Sequence, residues 1–488
     1  MTLPIAKAPR RNWNQPVLTE SPISPLDGRY RSQCQPLSEF ASEDALNQAR
    51  IHVEVEWLIY LTSAKILDGV EPLPAADVEY LRQLPENFTP EVKERLAKFE
   101  AETRHDVKAV EYLIREHLAA APSPSVLPKL LELVHVFCTS EDINNLSYGL
   151  CIQGLVQDAW LPQARNLIAK LSQMASSLAQ VPMLSRTHGQ SATPTTLGKE
   201  IGVFAHRLTR QYRHLEAAEY LGKFNGATGT FSAHQAVVPH ADWMRLSQGF
   251  VEHLGLTWNP VTTQIESHDW QAELYSNLAR FNRIAHNLAT DCWMYISLGY
   301  FKQDLAAQGS TGSSTMPHKV NPIRFENAEA NLEMSCGILD VLAQTLVTSR
   351  MQRDLSDSSM QRNVGVAFGY SLLALDNLCK GLGGLAVDQE RLAADLEEHW
   401  EVLSEAIQQA IRVEDAAGRS QVEDPYAALK ELTRGRQVTW ELIQDFLEQL
   451  PIGDAVKQQL LELTPATYIG VAPVIAEWAA TEFERDSH

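Results

Sequence analysis

Basic residues are too few in this sequence to suit a polyanionic partner. Lys and Arg number 41 against 61 Asp and Glu, a formal net charge of −20. Nucleic acid or an acidic membrane is repelled over most of such a surface. Long apolar runs are also missing: none approaches the roughly 18 residues a membrane-spanning helix needs. The six cysteines, Cys34, Cys138, Cys151, Cys292, Cys336 and Cys379, are scattered. They form no CxxC pair and have no histidine at zinc-ligand spacing, which argues for reduced thiols and against a structural metal. Alternation at strand period is absent outside short loops, which disfavours a sheet-based class. Met1 to Pro16 carry Arg10 and Arg11 with no apolar segment behind them. They read as an extension rather than a secretory signal, and the expected location is cytoplasmic.

What the chain does have is helical periodicity. From Ala272 to Tyr300, apolar residues recur at Leu274, Leu278, Phe281, Ala285, Leu288, Cys292 and Tyr295, the spacing of one helix face. Asn144 to Ala179 repeats the pattern, with Pro162 expected to kink or split it. Leu197–Ala217, Phe325–Ser349 and Val364–Leu382 read as further long helices, and Glu91–Glu102 as a solvated helix face. Long helices with apolar residues on more than one side predict an all-α bundle.

A length of 488 residues predicts two or three domains. Proline-rich punctuation near residue 128 and Gly381, Gly383 and Gly384 divide the chain into 1–128, with 1–17 as a flexible extension, 129–382, and 383–488. The middle part holds the longest helices. The last has shorter amphipathic helices and a polar insertion at Gly418 to Asp424.

A small anionic substrate on so acidic a chain needs a local cluster of cations and N–H donors. The stretch Gly312-Ser313-Ser314-Thr315-Met316-Pro317-His318-Lys319-Val320-Asn321-Pro322 supplies one. Read by its Gly and Ser alone it is a flexible linker. Its continuation places Lys319 and Asn321 before a helix beginning near Pro322, and a helix N-terminus favours anions. This stretch resembles the signature loop of the fumarase/aspartase superfamily. There the first Ser after the Gly is the general base, which the resemblance places at Ser313. His318 is similar to adenylosuccinate lyases and to carboxymuconate cycloisomerases, where fumarases usually carry Gly and argininosuccinate lyases Gln.

Other segments carry the same resemblance. Ser185-Arg186-Thr187-His188-Gly189-Gln190, at a break between helical segments, looks like the family's general-acid motif with His188 as the acid. Imidazole suits protonation of a departing nitrogen, because its pKa of about 6.5 is readily tuned. Thr103-Arg104-His105-Asp106 reads by default as a surface helix, and Cys138-Thr139-Ser140-Glu141-Asp142 as a helix N-cap. Both match adenylosuccinate lyase motifs, which implies substrate contacts from Arg104, His105, Asp106, Thr139 and Ser140. Ser24 to Tyr30 reads as a turn. In the family its Arg29 and Tyr30 reach the nucleotide, and a guanidinium can hold phosphate bidentately. Gln264, Lys319, Asn321, Asn327, Arg353, Ser358 and Arg362 complete the implied substrate-binding set. Ser358 and Arg362 are four apart, on one face if helical.

The resemblance, to the bacterial long-chain branch of the adenylosuccinate lyases, runs from about Ser24 to about Gly470. It implies a three-domain helical fold whose central bundle forms a homotetramer core, with each active site drawing on three subunits. It implies carbon–nitrogen elimination of fumarate from adenylosuccinate, giving AMP, and from the succinylated aminoimidazole carboxamide ribotide (SAICAR), giving AICAR. It implies no metal, no cofactor, and no nucleic-acid or membrane partner. A cycloisomerase of the same superfamily is the nearest alternative, disfavoured because its substrate has no phosphate to engage Arg29, Tyr30, Ser358 and Arg362. A non-catalytic relative is disfavoured by the presence of Ser313 and His188.

Overall fold

The computed structural model describes residues 22–304, 316, 319–420, 422, 424–433 and 438–485. Among these the helices that position the site are α1 (Glu43–Ser63), α2 (Asp106–Ala119), α3 (Ser140–Gly154), α4 (Leu161–Ser177), α5 (Leu197–Glu216), α6 (Asp269–Ser297), α7 (Ile323–Leu346), α8 (Ser356–Gln361), α9 (Val364–Gly383) and α10 (Ala472–Arg485). Caps set their starts. Ser42 accepts from Ala45 N at 3.1 Å to open α1, and Glu43 and Asp44 follow in the first turn, where acidic groups complement the helix dipole. Thr196 does the same for α5, accepting from Lys199 N at 3.2 Å.

The long α6 packs along α7, and α7 along α9; α4 and α5 pack together with α10. Their shared core includes Trp160, Tyr275, Phe281, Phe325 and Phe368, each no more than 0% exposed. A second cluster from Ile51 to Val134 underlies the N-terminal helices. A third, from Trp400 to Leu460, packs the C-terminal ones. The all-α class holds. No described helix is long and apolar enough to cross a membrane.

Pro162 is expected to kink or split its helical segment; the segment stays helical but changes its hydrogen-bonding pattern there. A π-helical turn, Leu155–Trp160, lies between α3 and α4, and Pro162 is the second residue of α4, where its missing N–H removes a donor to the turn before it. Pro322 caps α7 from outside and does not form its first turn. The Glu91–Glu102 stretch is a helix, Pro90–Thr103, with Leu96 turned inward.

Strands are few and short: β1 (Pro182–Thr187) with β2 (Gln190–Thr196), β3 (Leu221–Gly222) with β4 (Thr257–Trp258), and β5 (Phe301–Gln303) with β6 (Leu385–Val387). The first pair corrects the sequence reading around His188. That residue lies in a β-hairpin, not at a bare break between helices. Thr187 pairs with Gln190 across the turn, and His188 and Gly189 take φ values of 55° and 75°. This is the double left-handed turn that right-twisted hairpins prefer.

Candidate active site

Two helix starts and one loop make the wall of a single cleft. Arg104 ends the helix Pro90–Thr103 in the left-handed conformation at φ 53°. The chain then turns, and His105 caps α2 by accepting from Lys108 N on Nδ1 at 3.3 Å. An accepting Nδ1 carries no proton, so Nε2 of neutral His105 is the donor; it lies 3.5 Å from Ser140 Oγ. Thr139 caps α3, and its own N–H donates to Asp142 Oδ2 at 2.9 Å. Opposite, the segment leading into α8 presents Arg353, which faces Gln264 Oε1 and Ser358 Oγ, each at 3.4 Å.

The resulting cleft is lined by Arg104, His105, Asp106, Thr139, Ser140, Gln264, Arg353, Ser358 and Arg362 together. These are residues from four stretches far apart in sequence. Arg362 follows the last residue of α8 in helical conformation, so the four-residue relation to Ser358 holds across the helix end. The cleft supplies the local cations that the net charge of −20 made necessary.

Other expected site residues lie elsewhere. Tyr30 and Asn327 form their own pair, Asn327 Nδ2 donating to the Tyr30 hydroxyl at 3.2 Å. Arg29, next to Tyr30 in sequence, is exposed. Lys319 is exposed, and Asn321 leads into α7. The backbone between them is held where Gln303 Nε2 donates to Val320 O at 2.9 Å. His188 is exposed at its hairpin tip. Ser313 and His318 lie outside the described residues.

The hairpin that carries His188 is anchored, not loose. Arg186, two residues before His188, donates to Asp395 at 2.7 and 3.0 Å and to the Tyr300 hydroxyl. Tyr300 donates to the same carboxylate. Burial raises the Tyr300 phenol, and its bond to Asp395 adds to this, to about 12. Burial alone would raise Asp395, but the bonds from Tyr300 and Arg186 outweigh it and hold the carboxyl below its usual range. On the other strand Ser191 donates to Glu401 at 2.9 Å. Since Tyr300 immediately precedes β5, one buried carboxylate ties the hairpin to the strand that enters the signature loop.

Several cleft residues escape the sequence reading. Arg50 on α1 is 3% exposed and ion-pairs with Asp106 at 2.7 Å while donating to Asn144 at 2.9 Å. Burial opposes ionisation of Asp106, yet Arg50 holds its carboxyl below the usual range. Asp106 is therefore an anchor for the cleft wall as much as a contact. Its sequence signal was a lone arginine among apolar helix positions. Glu141, buried and 3.0 Å from Arg353, is the other omission. Among the described residues Glu54, His135 and Cys138 bring potential metal-ligand atoms within 4.8 Å of one another. Glu54 and His135 already hydrogen-bond at 2.5 Å, Cys138 Sγ donates to Val136 O at 3.5 Å, and burial pushes the Cys138 thiol well up, which disfavours the thiolate a metal needs.

Residues 28–337 match the family described as Lyase, and residues 349–469 the family described as Adenylosuccinate lyase C-terminal. An adenylosuccinate lyase of Haemophilus influenzae is 44% identical over 459 residues, covering 94% of this chain and 98% of its own length. That of Escherichia coli K12 is 45% identical over 450 residues, covering 92% and 96%. The chain belongs to the adenylosuccinate lyase family. It is a lyase on that ground, and the nearly full coverage of both chains extends the match well beyond the signature loop. Solved structures add the fold. A 3-carboxy-cis,cis-muconate lactonizing enzyme from Pseudomonas putida aligns with a TM-score of 0.73 at 22% identity, over 93% of this chain and 98% of that one. A fumarate lyase from Mesorhizobium sp. BNC1 aligns with a TM-score of 0.72 at 18% identity, over 92% and 98%. Both show that this chain has the all-α fumarase/aspartase fold.

Proposed function

We propose that this chain eliminates fumarate from adenylosuccinate to give AMP, and from SAICAR to give AICAR, with Ser313 as general base and His188 as general acid. Ser313 removes the proton from the carbon beside a carboxylate of the succinyl group. The electron pair moves into that carboxylate, where Lys319, Asn321 and the N-terminus of α7 stabilise the developing charge. The carbon–nitrogen bond then breaks, and His188 protonates the departing nitrogen. Proton abstraction by serine needs loop closure and neighbouring positive charge. No metal or cofactor takes part in this scheme.

The observation that carries the reading is the cleft in which His105, Thr139, Ser140, Arg353, Ser358 and Arg362 converge. Arg353, Ser358 and Arg362 suit a phosphate, with Arg104 at the rim; Thr139, Ser140 and Gln264 suit the succinyl carboxylates and polar groups. Arg29, Tyr30 and Asn327 face the nucleotide in this scheme. Elimination needs acid, base and binding groups at one substrate, yet among the described residues His188, Lys319, Asn321 and Tyr30 do not line this cleft. The proposal is therefore a homotetramer in which neighbouring copies complete each site. Outward-facing apolar side chains on α6 and α7, Trp293, Met294, Met334 and Val341, are 40–52% exposed and suit such contacts. In this reading the enzyme works in the cytoplasm.

The test is turnover of adenylosuccinate by purified protein, read as stoichiometric fumarate and AMP. Ser313→Ala and His188→Asn are expected to lose at least about a thousandfold in kcat, since the two groups act in bond-making steps. Asn tolerates the left-handed turn at position 188, so unchanged melting is expected there. A folded Ser313→Ala variant with near-normal turnover would overturn the assignment of the base.

A further inference from the structure

Glu141 lies in the cleft wall but contacts nothing a neutral structural role explains. Its side chain is 2% exposed, with Oε2 3.0 Å from Arg353 Nη1. On Arg353 the same Nη1 also reaches Gln264 Oε1, and Nη2 reaches Ser358 Oγ, both long contacts of 3.4 Å. Its Nε is buried with no hydrogen-bond partner. An arginine with weakly used donors beside an open cleft is poised for a stronger acceptor. Every other charge around Glu141 has a partner of its own. Asp357 on α8 pairs with His268 at 3.4 Å. Lys223 pairs with Asp142 at 2.7 Å. Asp354 pairs with Arg350 at 3.3 Å. Tyr148 lies further along α3. Glu141 is thus the direct counter-ion of Arg353.

We infer that Glu141 is a proton-accepting counter-ion of the phosphate subsite: it neutralises Arg353 in the unliganded cleft and takes a proton from solvent when a phosphate dianion binds. The inference rests on the reading that Arg353 and Ser358 receive the substrate phosphate. A dianion arriving beside Arg353 competes with the Glu141 carboxylate for one guanidinium. Two anions sharing one buried cation cannot both stay charged at low cost. Protonating Glu141 removes the repulsion and turns its carboxyl into a donor. Release of product returns the proton. The carboxyl is already set for this, because burial, only partly opposed by Arg353, raises it to about 7.

The test is titration calorimetry of the full-length protein with AMP at pH 8, in two buffers of different ionisation enthalpy. At this pH the AMP phosphate is already a dianion, its second pKa being about 6. If binding raises Glu141 by one to two units from about 7, uptake is about 0.4–0.8 proton per AMP bound. Glu141→Gln is expected to bind AMP without uptake. No uptake by the wild type, or unchanged uptake in Glu141→Gln, would overturn the inference. An infrared difference spectrum of the wild type decides the matter without relying on a variant's folding: AMP is expected to bring in a protonated-carboxyl band, and its absence refutes the inference. Failure of AMP to bind at all takes down the phosphate reading and, with it, this one.

Discussion

Replacing Lys223 with methionine removes one half of a fully buried ion pair and leaves Asp142 inside. Lys223 Nζ lies 2.7 Å from Asp142 Oδ1, and both side chains are 0% exposed. Removing one partner of such a pair costs about 3–5 kcal/mol, because the remaining charge stays desolvated. Here Asp142 keeps three backbone donors, Thr139 N at 2.9 Å, Asn225 N at 3.0 Å and Gly226 N at 3.1 Å. These place the expected loss in the lower part of the range, at about 3–4 kcal/mol. With an unfolding entropy of roughly 2.1 cal/mol/K per residue and a cooperative unit on the order of 250 residues, that is a fall of about 6–8 °C in melting temperature. The assay is thermal unfolding followed by circular dichroism at fixed protein concentration, since assembly makes melting concentration-dependent. The double variant Lys223→Met with Asp142→Asn is expected to lose less than the sum of the two single changes, by at least about 1 kcal/mol. Because Asp142 also anchors the cap at Thr139, KM should rise in Lys223→Met. A fall below about 2 °C, or strict additivity in the cycle, would refute the argument that the pair is a desolvated unit.

Gly198→Ala tests the crossing of α4 and α5. A Cβ there would lie 2.3 Å from the carbonyl oxygen of Ala175 and 2.5 Å from Ala179 N. Both are backbone atoms, so a loss of roughly 3 kcal/mol is expected in denaturant unfolding, and a neutral result would mean the helices slide apart freely. Glu141→Gln carries a stability prediction of definite sign. Its carboxyl is raised from 4.5 to about 7 on folding, so the folded state holds more protons than the unfolded state between those values and wild-type stability falls as pH rises through them. The burden is on the order of 3 kcal/mol when fully developed. The melting temperature of Glu141→Gln minus that of the wild type should therefore climb from pH 4.5 to 7 and then level; a flat difference would contradict it.

Much of the architecture could be read in advance because helical periodicity is local information. The long runs from Ala272, Leu197, Phe325 and Val364 are amphipathic over many turns, and Pro162 takes a donor out of its helix wherever the rest of the chain goes. The signature stretch around Ser313 and the segment Thr187-His188-Gly189-Gln190 stand out in the sequence for the same reason: each pattern lies in adjacent residues. The hairpin itself was missed, since Pro182 to Thr196 show no apolar–polar alternation, and the side chains that fix it in place, Asp395 and Glu401, lie about 200 positions away.

By itself the sequence determined the helical class, the sign of the surface charge and the identity of the groups available for elimination, because residue type and spacing carry these without reference to partners. Only the tertiary structure decided which of those groups meet. It brought Arg353 from the far side of the chain to Glu141, paired Arg50 with Asp106, and set Tyr30 against Asn327 apart from the main cleft. Each of these depends on charges and donors made close by packing across hundreds of residues. Burial then raised the Glu141 carboxyl, which its position in the chain alone could not reveal.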